Sequence, residues 1–141
     1  MSTEDRERLK LQLMRHEGIQ LKPYLDTVGK WTIGCGRNLS DKGISHDEMQ
    51  FLLENDLDEC IRDCASLPWF ADLDGVRQRV VVDLRFNLGP SRLRKFTNTL
   101  AAIGRGDYAA ASRGMLKSLW AKQVGLRAIR LARMMETGRD A

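Results

Sequence analysis

The sequence has no apolar run long enough to cross a membrane and no secretory signal at its start. A membrane-spanning helix needs about 20 consecutive apolar residues, and no stretch of this chain approaches that length. Residues 1–8 are mostly charged or polar and lack the apolar core of a signal peptide. We therefore expect no stable membrane insertion and a cytoplasmic protein, unless something else exports or releases it.

Cysteine and histidine are scarce, with three and two residues respectively. An odd number of cysteines leaves at least one thiol unpaired, and the i,i+4 spacing of Cys60 and Cys64 on a predicted helix is poor for a disulfide. Together with Cys35, the two histidines His16 and His46 match no known spacing of metal ligands. We expect no metal site and three reduced, mostly buried thiols.

Internal repeats, low-complexity tracts and linkers are also missing, so residues 1–141 are predicted to form one domain. Hydrophobic residues make up 43% and charged residues 30% of the chain, as in ordinary soluble globular proteins. The net charge of +4 favours an anionic partner such as a nucleic acid, a lipid surface or a cell-wall polymer. Charge alone does not choose among these partners.

Capping signals and hydrophobic periodicity predict a mostly helical chain. Ser45 and Glu48 match a capping box, and Asp74 and Asp107 are placed to cap the helices that follow them. The helix after Asp74 is the most apolar and is the candidate for the central core helix. The predicted helices cover residues 3–16, 46–65, 74–88, about 96–104, 107–119 and 125–137.

The last of these helices is predicted to have an apolar and a basic side. Leu126, Ile129 and Met134 are expected to face inward. Arg127, Arg130 and Arg133 are expected on the outer side, usually a solvated face, though a contact with a lipid surface is an alternative.

Residues 15–36 organise the chain. Glu17 comes just before Gly18, a helix stop, and Asp26 lies at the edge of a hairpin signal around Gly29. Gly34 and Gly36 remove side chains where backbone or ligand must approach closely. A carboxylate at a helix end and another on an adjacent hairpin can face each other across a cleft, which is the geometry of a glycosidase. One small β lobe, about 18–44, among many helices predicts an α+β fold.

An ordered set of short motifs spans nearly the whole chain. Glu17, Asp26 and Thr32 have the spacing of a Glu, Asp and Thr trio, and the other matches follow them in order. With these motifs the chain resembles the phage-type, T4-lysozyme-like muramidases. The matching segments are 17–18, 24–27, 29, 32–36, 86–89, 96–100, 117–120, 123, 127–128 and 137–138.

The resemblance implies hydrolysis of the β-1,4 bond between N-acetylmuramic acid and N-acetylglucosamine in peptidoglycan. It implies that Glu17 is the general acid and that Asp26 and Thr32 position and activate a water on the opposite sugar face, which inverts the anomeric centre. It implies no cofactor. An endolysin of this type is expected to wait in the host cytoplasm until a holin opens the inner membrane, and then to act at the cell wall as a monomer.

The resemblance also implies glycan-binding positions at Asn38, Phe86, Thr99 and Arg127. It places Arg127 beside the catalytic Glu, with two alternatives for Arg127: an ion pair with Glu17 or a solvated helix face. For Phe86 the alternative is a place in the core. Two positions depart from the family pattern, since Arg37 stands where a His is common and Gly114 where an Asn contact is common.

Three other functions remain as alternatives. The first is a catalytically silent lysozyme-like domain that binds peptidoglycan. The second is a lytic transglycosylase, against which Asp26 and Thr32 argue because that reaction needs no activated water. The third is a basic helical nucleic-acid binder, which no recognition motif supports. We therefore expect a peptidoglycan partner and no nucleic acid.

Overall fold

The computed structural model describes residues 1–141, except for the side chain of Leu119, and has the predicted α+β class. The chain forms two units, residues 1–51 and 52–141, and their boundary falls inside α2. The elements in chain order are α1 (Thr3–Glu17), β1 (Gln20–Leu25), β2 (Trp31–Gly34), β3 (Arg37–Asn38), α2 (His46–Ala65), a 3-10 turn (Phe70–Asp72), α3 (Gly75–Arg94), α4 (Thr97–Gly104), α5 (Tyr108–Lys117), α6 (Leu119–Val124) and α7 (Leu126–Thr137).

The first unit consists of α1, a three-stranded antiparallel sheet and the start of α2. Ser2 caps α1, because its hydroxyl accepts a hydrogen bond from the Asp5 amide at 3.0 Å. Gly18 ends the helix with φ 76°, in the left-handed region, and donates its amide to Met14 O. In the sheet β2 lies between β1 and β3. The predicted hairpin and its turn at Gly29, which has φ 81°, are confirmed.

The hydrophobic core of the second unit is built around α3. Asp74 caps this helix as predicted, and Val80, Val81 and Leu84 are fully buried. Gly89 has non-helical angles, φ 81° and ψ 171°, so the predicted stop at 88–90 is a kink between two helical segments. The core around α3 also contains Cys64, Phe70, Leu73, Leu88, Leu93, Ala102, Ile103, Ala111, Met115, Trp120, Ala128, Leu131, Ala132 and Met135.

Two helix predictions near the C-terminal end need correction. The helix predicted to run to about residue 119 ends at Lys117, because the Ser118 hydroxyl accepts from the Ala121 amide at 3.1 Å and so caps a further short helix, α6. In α7 the predicted inward face is wrong for Leu126 and Ile129, which are 59% and 49% exposed. The residues of α7 that pack into the core are instead Ala128, Leu131, Ala132 and Met135.

The three thiols are free, and two are buried. Burial raises the pKa of the Cys64 thiol to about 11, which keeps it protonated at neutral pH. The prediction of reduced, mostly buried thiols is confirmed; the exposed one is Cys35, in the tight turn between β2 and β3. Within the described residues, no helix combines the length and apolar composition needed to span a bilayer.

Candidate active site

Glu17 is the last residue of α1, and its side chain lies against the turn that joins β2 to β3. A methyl group built on Gly36 would be 3.2 Å from Glu17 Oε2 and 3.5 Å from its carboxyl carbon. The hydrogen side chain of Gly36 therefore allows the close approach that the sequence predicted for this glycine. Glu17 itself is exposed, so solvent and a ligand can reach it.

Asp26 closes the turn between β1 and β2. Its Oδ1 accepts hydrogen bonds from the amides of Val28 at 2.9 Å and Lys30 at 2.8 Å, the pattern by which Asp favours turns. Its amide also donates to Lys30 O at 2.9 Å, which extends the β1–β2 ladder by one pair. In the part of the chain that the structure describes, Oδ2 makes no hydrogen bond, so one carboxylate oxygen remains to accept from a water.

Thr32 is in the central strand and is 4% exposed. Its hydroxyl donates to Lys30 O at 3.0 Å, so its oxygen lone pairs are left to accept a hydrogen bond. The register pairs Thr32 with Tyr24 on one side and with Asn38 on the other. Asp26 lies one residue beyond the end of β1, next to the pair formed by Leu25 and Trp31, and Thr32 follows Trp31 in β2.

All three residues of the predicted trio belong to the first unit. Glu17 touches the turn after β2, whereas Asp26 belongs to the turn before β2, and Thr32 lies in that strand. Two carboxylates, one of them with an unengaged oxygen, are the groups that hydrolysis of a glycosidic bond uses.

Asn38 is on the same sheet face, but its amide is engaged in the loop that follows. Its Nδ2 donates to Asp41 Oδ2 at 3.0 Å, and its Oδ1 accepts from the Asp41 amide at 2.9 Å. Lys30 bonds the other oxygen of the Asp41 carboxylate at 3.1 Å. The pKa of Asp41 is below its usual value. The largest cause is the hydrogen bond from the Lys30 ammonium, and the next is the hydrogen bond from the Asn38 amide.

Arg37, which departs from the family pattern, joins the sheet to the start of α2. Its guanidinium donates to Glu48 Oε1 at 2.8 Å and to Gly43 O at 3.2 Å. The capping box is confirmed: the Ser45 amide donates to Glu48 Oε1, and the Glu48 amide donates to Ser45 Oγ. The pKa of Glu48 is lowered to about 2, mainly by the hydrogen bond from Arg37 and next by the hydrogen bonds with Ser45. An arginine–carboxylate pair therefore fixes the loop after β3.

In the second unit Thr99 is 6% exposed and lies opposite Gly114 of α5. A methyl group on Gly114 would collide with Thr99 Oγ1, so the glycine makes room for this side chain. Both residues line a polar groove of about 320 Å³ whose other walls are Lys95, Phe96, Thr97, Asn98, Lys117 and Ser118. Gly114 therefore lets Thr99 pack closely against the backbone of α5.

Phe86 and Arg127 line a second groove, of about 290 Å³, in the same unit. Phe86 is 45% exposed and so is available for contact with a ligand, whereas Trp120 is buried and donates to Asn87 Oδ1 at 2.6 Å. Arg127 forms an ion pair with Asp83, which neither sequence alternative for Arg127 included. Asp83 was missed because nothing in the spacing of α3 singles it out from other surface carboxylates.

A metal ion is bound by a group of side chains that lie close together. Among the residues that the structure describes, no three His, Cys, Asp or Glu side chains come together closely enough to hold a metal ion.

A family model described as phage lysozyme matches residues 14–136 of the chain. The match covers most of the chain, including the trio, so the chain belongs to the phage lysozyme family. It is therefore a glycoside hydrolase of the lysozyme, or muramidase, class. Peptidoglycan is the substrate that this class implies.

Three curated relatives have low identity to the chain and differ in length. "Probable T4-type lysozyme 1" of Dictyostelium discoideum is 27% identical, with 92% of this chain and 94% of the relative aligned. "Endolysin" of Acyrthosiphon pisum secondary endosymbiont phage 1 is 28% identical, with 78% and 75% aligned. "Pre-baseplate central spike protein Gp5" of Enterobacteria phage T4 is 28% identical over 89% of this chain, which spans only 27% of that protein.

Proposed function

We propose that this lysozyme hydrolyses the β-1,4 bond between N-acetylmuramic acid and N-acetylglucosamine, with Glu17 as general acid and with Asp26 and Thr32 positioning the water. One observation supports the proposal. The Glu17 carboxylate lies against the β2–β3 turn, Thr32 is in β2, and Asp26 is in the turn that precedes β2. The three residues therefore come from one helix end and the hairpin that follows it in the first unit.

Each group has a role that its hydrogen bonds allow. Glu17 protonates the glycosidic oxygen as the bond to the anomeric carbon breaks. The unengaged oxygen of Asp26 takes a proton from the attacking water. Thr32, whose hydroxyl already donates to Lys30 O, accepts a hydrogen bond from the other O–H of the water and so orients the oxygen lone pair toward the anomeric carbon. Attack from the opposite face inverts the configuration of that carbon.

The proposed glycan contacts differ in how they act. Phe86 offers an exposed ring for stacking on a sugar, and Thr99 lines the polar groove beside Gly114. Asn38 acts through the loop, because its amide is bonded to Asp41. Arg127 contributes a positive charge that Asp83 holds in place.

The proposed biological role is lysis of a bacterial host by a phage or prophage. Membership in the phage lysozyme family and the similarity to a phage protein named endolysin support this role. In this account the enzyme stays in the host cytoplasm until a holin opens the inner membrane, and only then reaches the wall. Fractionation of expressing cells with and without a holin tests the location directly.

Product analysis on purified Gram-negative peptidoglycan tests the reaction. Mass spectrometry of the released muropeptides should show hydrated reducing ends on N-acetylmuramic acid. Anhydro ends would indicate a transglycosylase and would overturn the role of Asp26 and Thr32. Binding to peptidoglycan without release of reducing ends would indicate a silent binding domain and would overturn the proposed hydrolysis.

A further inference from the structure

Positive charge is concentrated in the last third of the chain. Residues 108–135 contain six Lys or Arg residues and no Asp or Glu. The whole chain has a net charge of +4, so the residues outside this segment carry a net charge of −2. The six basic residues are Arg113, Lys117, Lys122, Arg127, Arg130 and Arg133.

This segment forms α5, α6 and α7, which pack against one another in the second unit. An apolar groove of about 300 Å³ lies among them. Leu116, Leu126 and Ile129 line the groove and are 46%, 59% and 49% exposed, and Lys122 is also part of its wall. Three large aliphatic side chains thus remain in contact with solvent beside a positive charge.

Helical spacing places more positive charge next to the same groove. In α7 the residues Leu126, Ile129, Arg130 and Arg133 follow the i, i+3, i+4, i+7 spacing of one helix face, and all four are exposed. Of the six basic residues, Arg127 is the one that forms an ion pair within the described part of the chain, with Asp83. The surface formed by Leu116, Lys122, Leu126, Ile129, Arg130 and Arg133 is called the basic groove below.

We propose that the basic groove docks on a lipid bilayer that carries anionic headgroups. Lys122, Arg130 and Arg133 bind the headgroups, and Leu126 and Ile129 insert between them at the boundary with the acyl chains. Exposed aliphatic side chains beside Lys and Arg are the combination that favours the interface of an anionic bilayer. A single-stranded nucleic acid would stack its bases on aromatic rings, and none lines this groove. A duplex would present phosphates to the basic residues but no apolar surface to Leu126 and Ile129. A peptidoglycan stem peptide is polar and offers no apolar surface for the aliphatic residues to contact.

The association is peripheral and reversible, because three aliphatic side chains bury little area compared with a spanning helix. It does not depend on the proposed hydrolysis, since every residue of the basic groove lies outside the trio. The two proposals can therefore fail separately.

Co-sedimentation of the full chain with unilamellar vesicles tests the docking. Binding is expected to vesicles of 30% phosphatidylglycerol in phosphatidylcholine, to be weaker by at least about 25-fold for pure phosphatidylcholine, and to decrease as salt is raised. Equal binding to both vesicles, or no binding to the anionic ones, would overturn the proposal.

Two variants separate the charged and apolar contributions. Lys122→Glu with Arg130→Glu should weaken binding to the anionic vesicles by at least about 25-fold. Leu126→Ser with Ile129→Ser should weaken it by about tenfold or more. Arg6→Glu with Arg62→Glu makes the same change in net charge at exposed positions outside the groove and should bind nearly as wild type. If this control lost as much vesicle binding as Lys122→Glu with Arg130→Glu, net charge alone would drive binding. That result would contradict docking through the basic groove.

Two further measurements check the fold of the variants and the class of ligand. Far-ultraviolet circular dichroism should be the same for all three variants, since every changed side chain is exposed. Binding to a DNA duplex is measured in parallel. Tighter binding to DNA than to anionic vesicles, with loss in the same charge-reversal variant, would assign the groove to nucleic acid and overturn the membrane proposal.

Discussion

The Glu17 carboxylate lies so close to Gly36 that a methyl group on the glycine would be 3.2 Å from Oε2. The side chain of the proposed acid therefore lies beside the β2–β3 turn. Gly36 has φ 74°, so any other residue there also strains the backbone.

Substitution of Gly36 separates these two effects. Gly36→Ala should lower the rate of peptidoglycan hydrolysis, because the methyl group displaces the Glu17 carboxylate, and should cost about 1–2 kcal/mol of stability from the left-handed backbone. Gly34→Ala is the matched control, since Gly34 has φ 70° with nothing within 4 Å of the added methyl group. Turbidity assays measure the activity of both variants, and thermal melts measure their stability. Equal losses of activity would mean that backbone strain alone, and not displacement of Glu17, lowers the rate.

Asp26→Asn should abolish most activity while leaving the turn intact. The amide oxygen of Asn can still accept from the Val28 and Lys30 amides, but the side chain can no longer take a proton from water. The rate of reducing-end release should fall by about 10²–10⁴-fold, the usual contribution of a general base. The melting temperature should change little. Wild-type rates in this variant would remove Asp26 from the proposed chemistry.

The Arg37–Glu48 pair predicts a dependence of stability on acid pH. The pKa of Glu48 is about 2 in the folded chain, against an ordinary value of 4.5. The stabilisation is therefore complete above about pH 4.5 and is lost as the pH falls toward 2, because the unfolded chain takes up the proton first.

Urea denaturation of Glu48→Gln between pH 6 and pH 2.5 checks this prediction. Gln at this position keeps the capping box but not the charge, so the variant should be less stable than wild type at pH 6, and the difference should shrink in acid. Asp47→Asn, one position away, should show no such convergence. A difference that stays constant with pH would contradict the role of the ion pair.

Gly114 and Thr99 should behave as a coupled pair. Gly114→Ala brings a methyl group into collision with Thr99 Oγ1, so overpacking of about 1–3 kcal/mol should exceed the gain of about 1 kcal/mol in helix propensity. Adding Thr99→Ala removes the hydroxyl and should restore stability. A double-mutant cycle in urea that gives no coupling would show that the helices shift apart to accept the methyl group.

Local signals made much of the fold predictable. Ser2, Asp74 and the Ser45–Glu48 box each satisfy a helix end through atoms within four residues in the sequence, so the sequence contains the whole interaction. The hairpin of β1 and β2 was likewise predictable from the turn signal at Gly29 between them. These features need no knowledge of distant parts of the chain.

Other features depend on packing between distant segments and could not be predicted. The pairing of Arg127 with Asp83 joins residues 44 positions apart. The buried face of α7 uses Ala128 and Ala132, whose small side chains suit close approach of helices but score as weak hydrophobic signals. Sequence periodicity favoured the larger Leu126 and Ile129, which the structure leaves exposed.

The most direct test of the central claim is the rate of reducing-end release from purified peptidoglycan by Glu17→Gln. Its matched control is Glu7→Gln, which makes the same change at an exposed position of α1. Glu17→Gln should lose activity by at least about 100-fold with an unchanged circular dichroism spectrum, and Glu7→Gln should remain near wild type. A folded Glu17→Gln variant within tenfold of the wild-type rate would contradict Glu17 as the general acid.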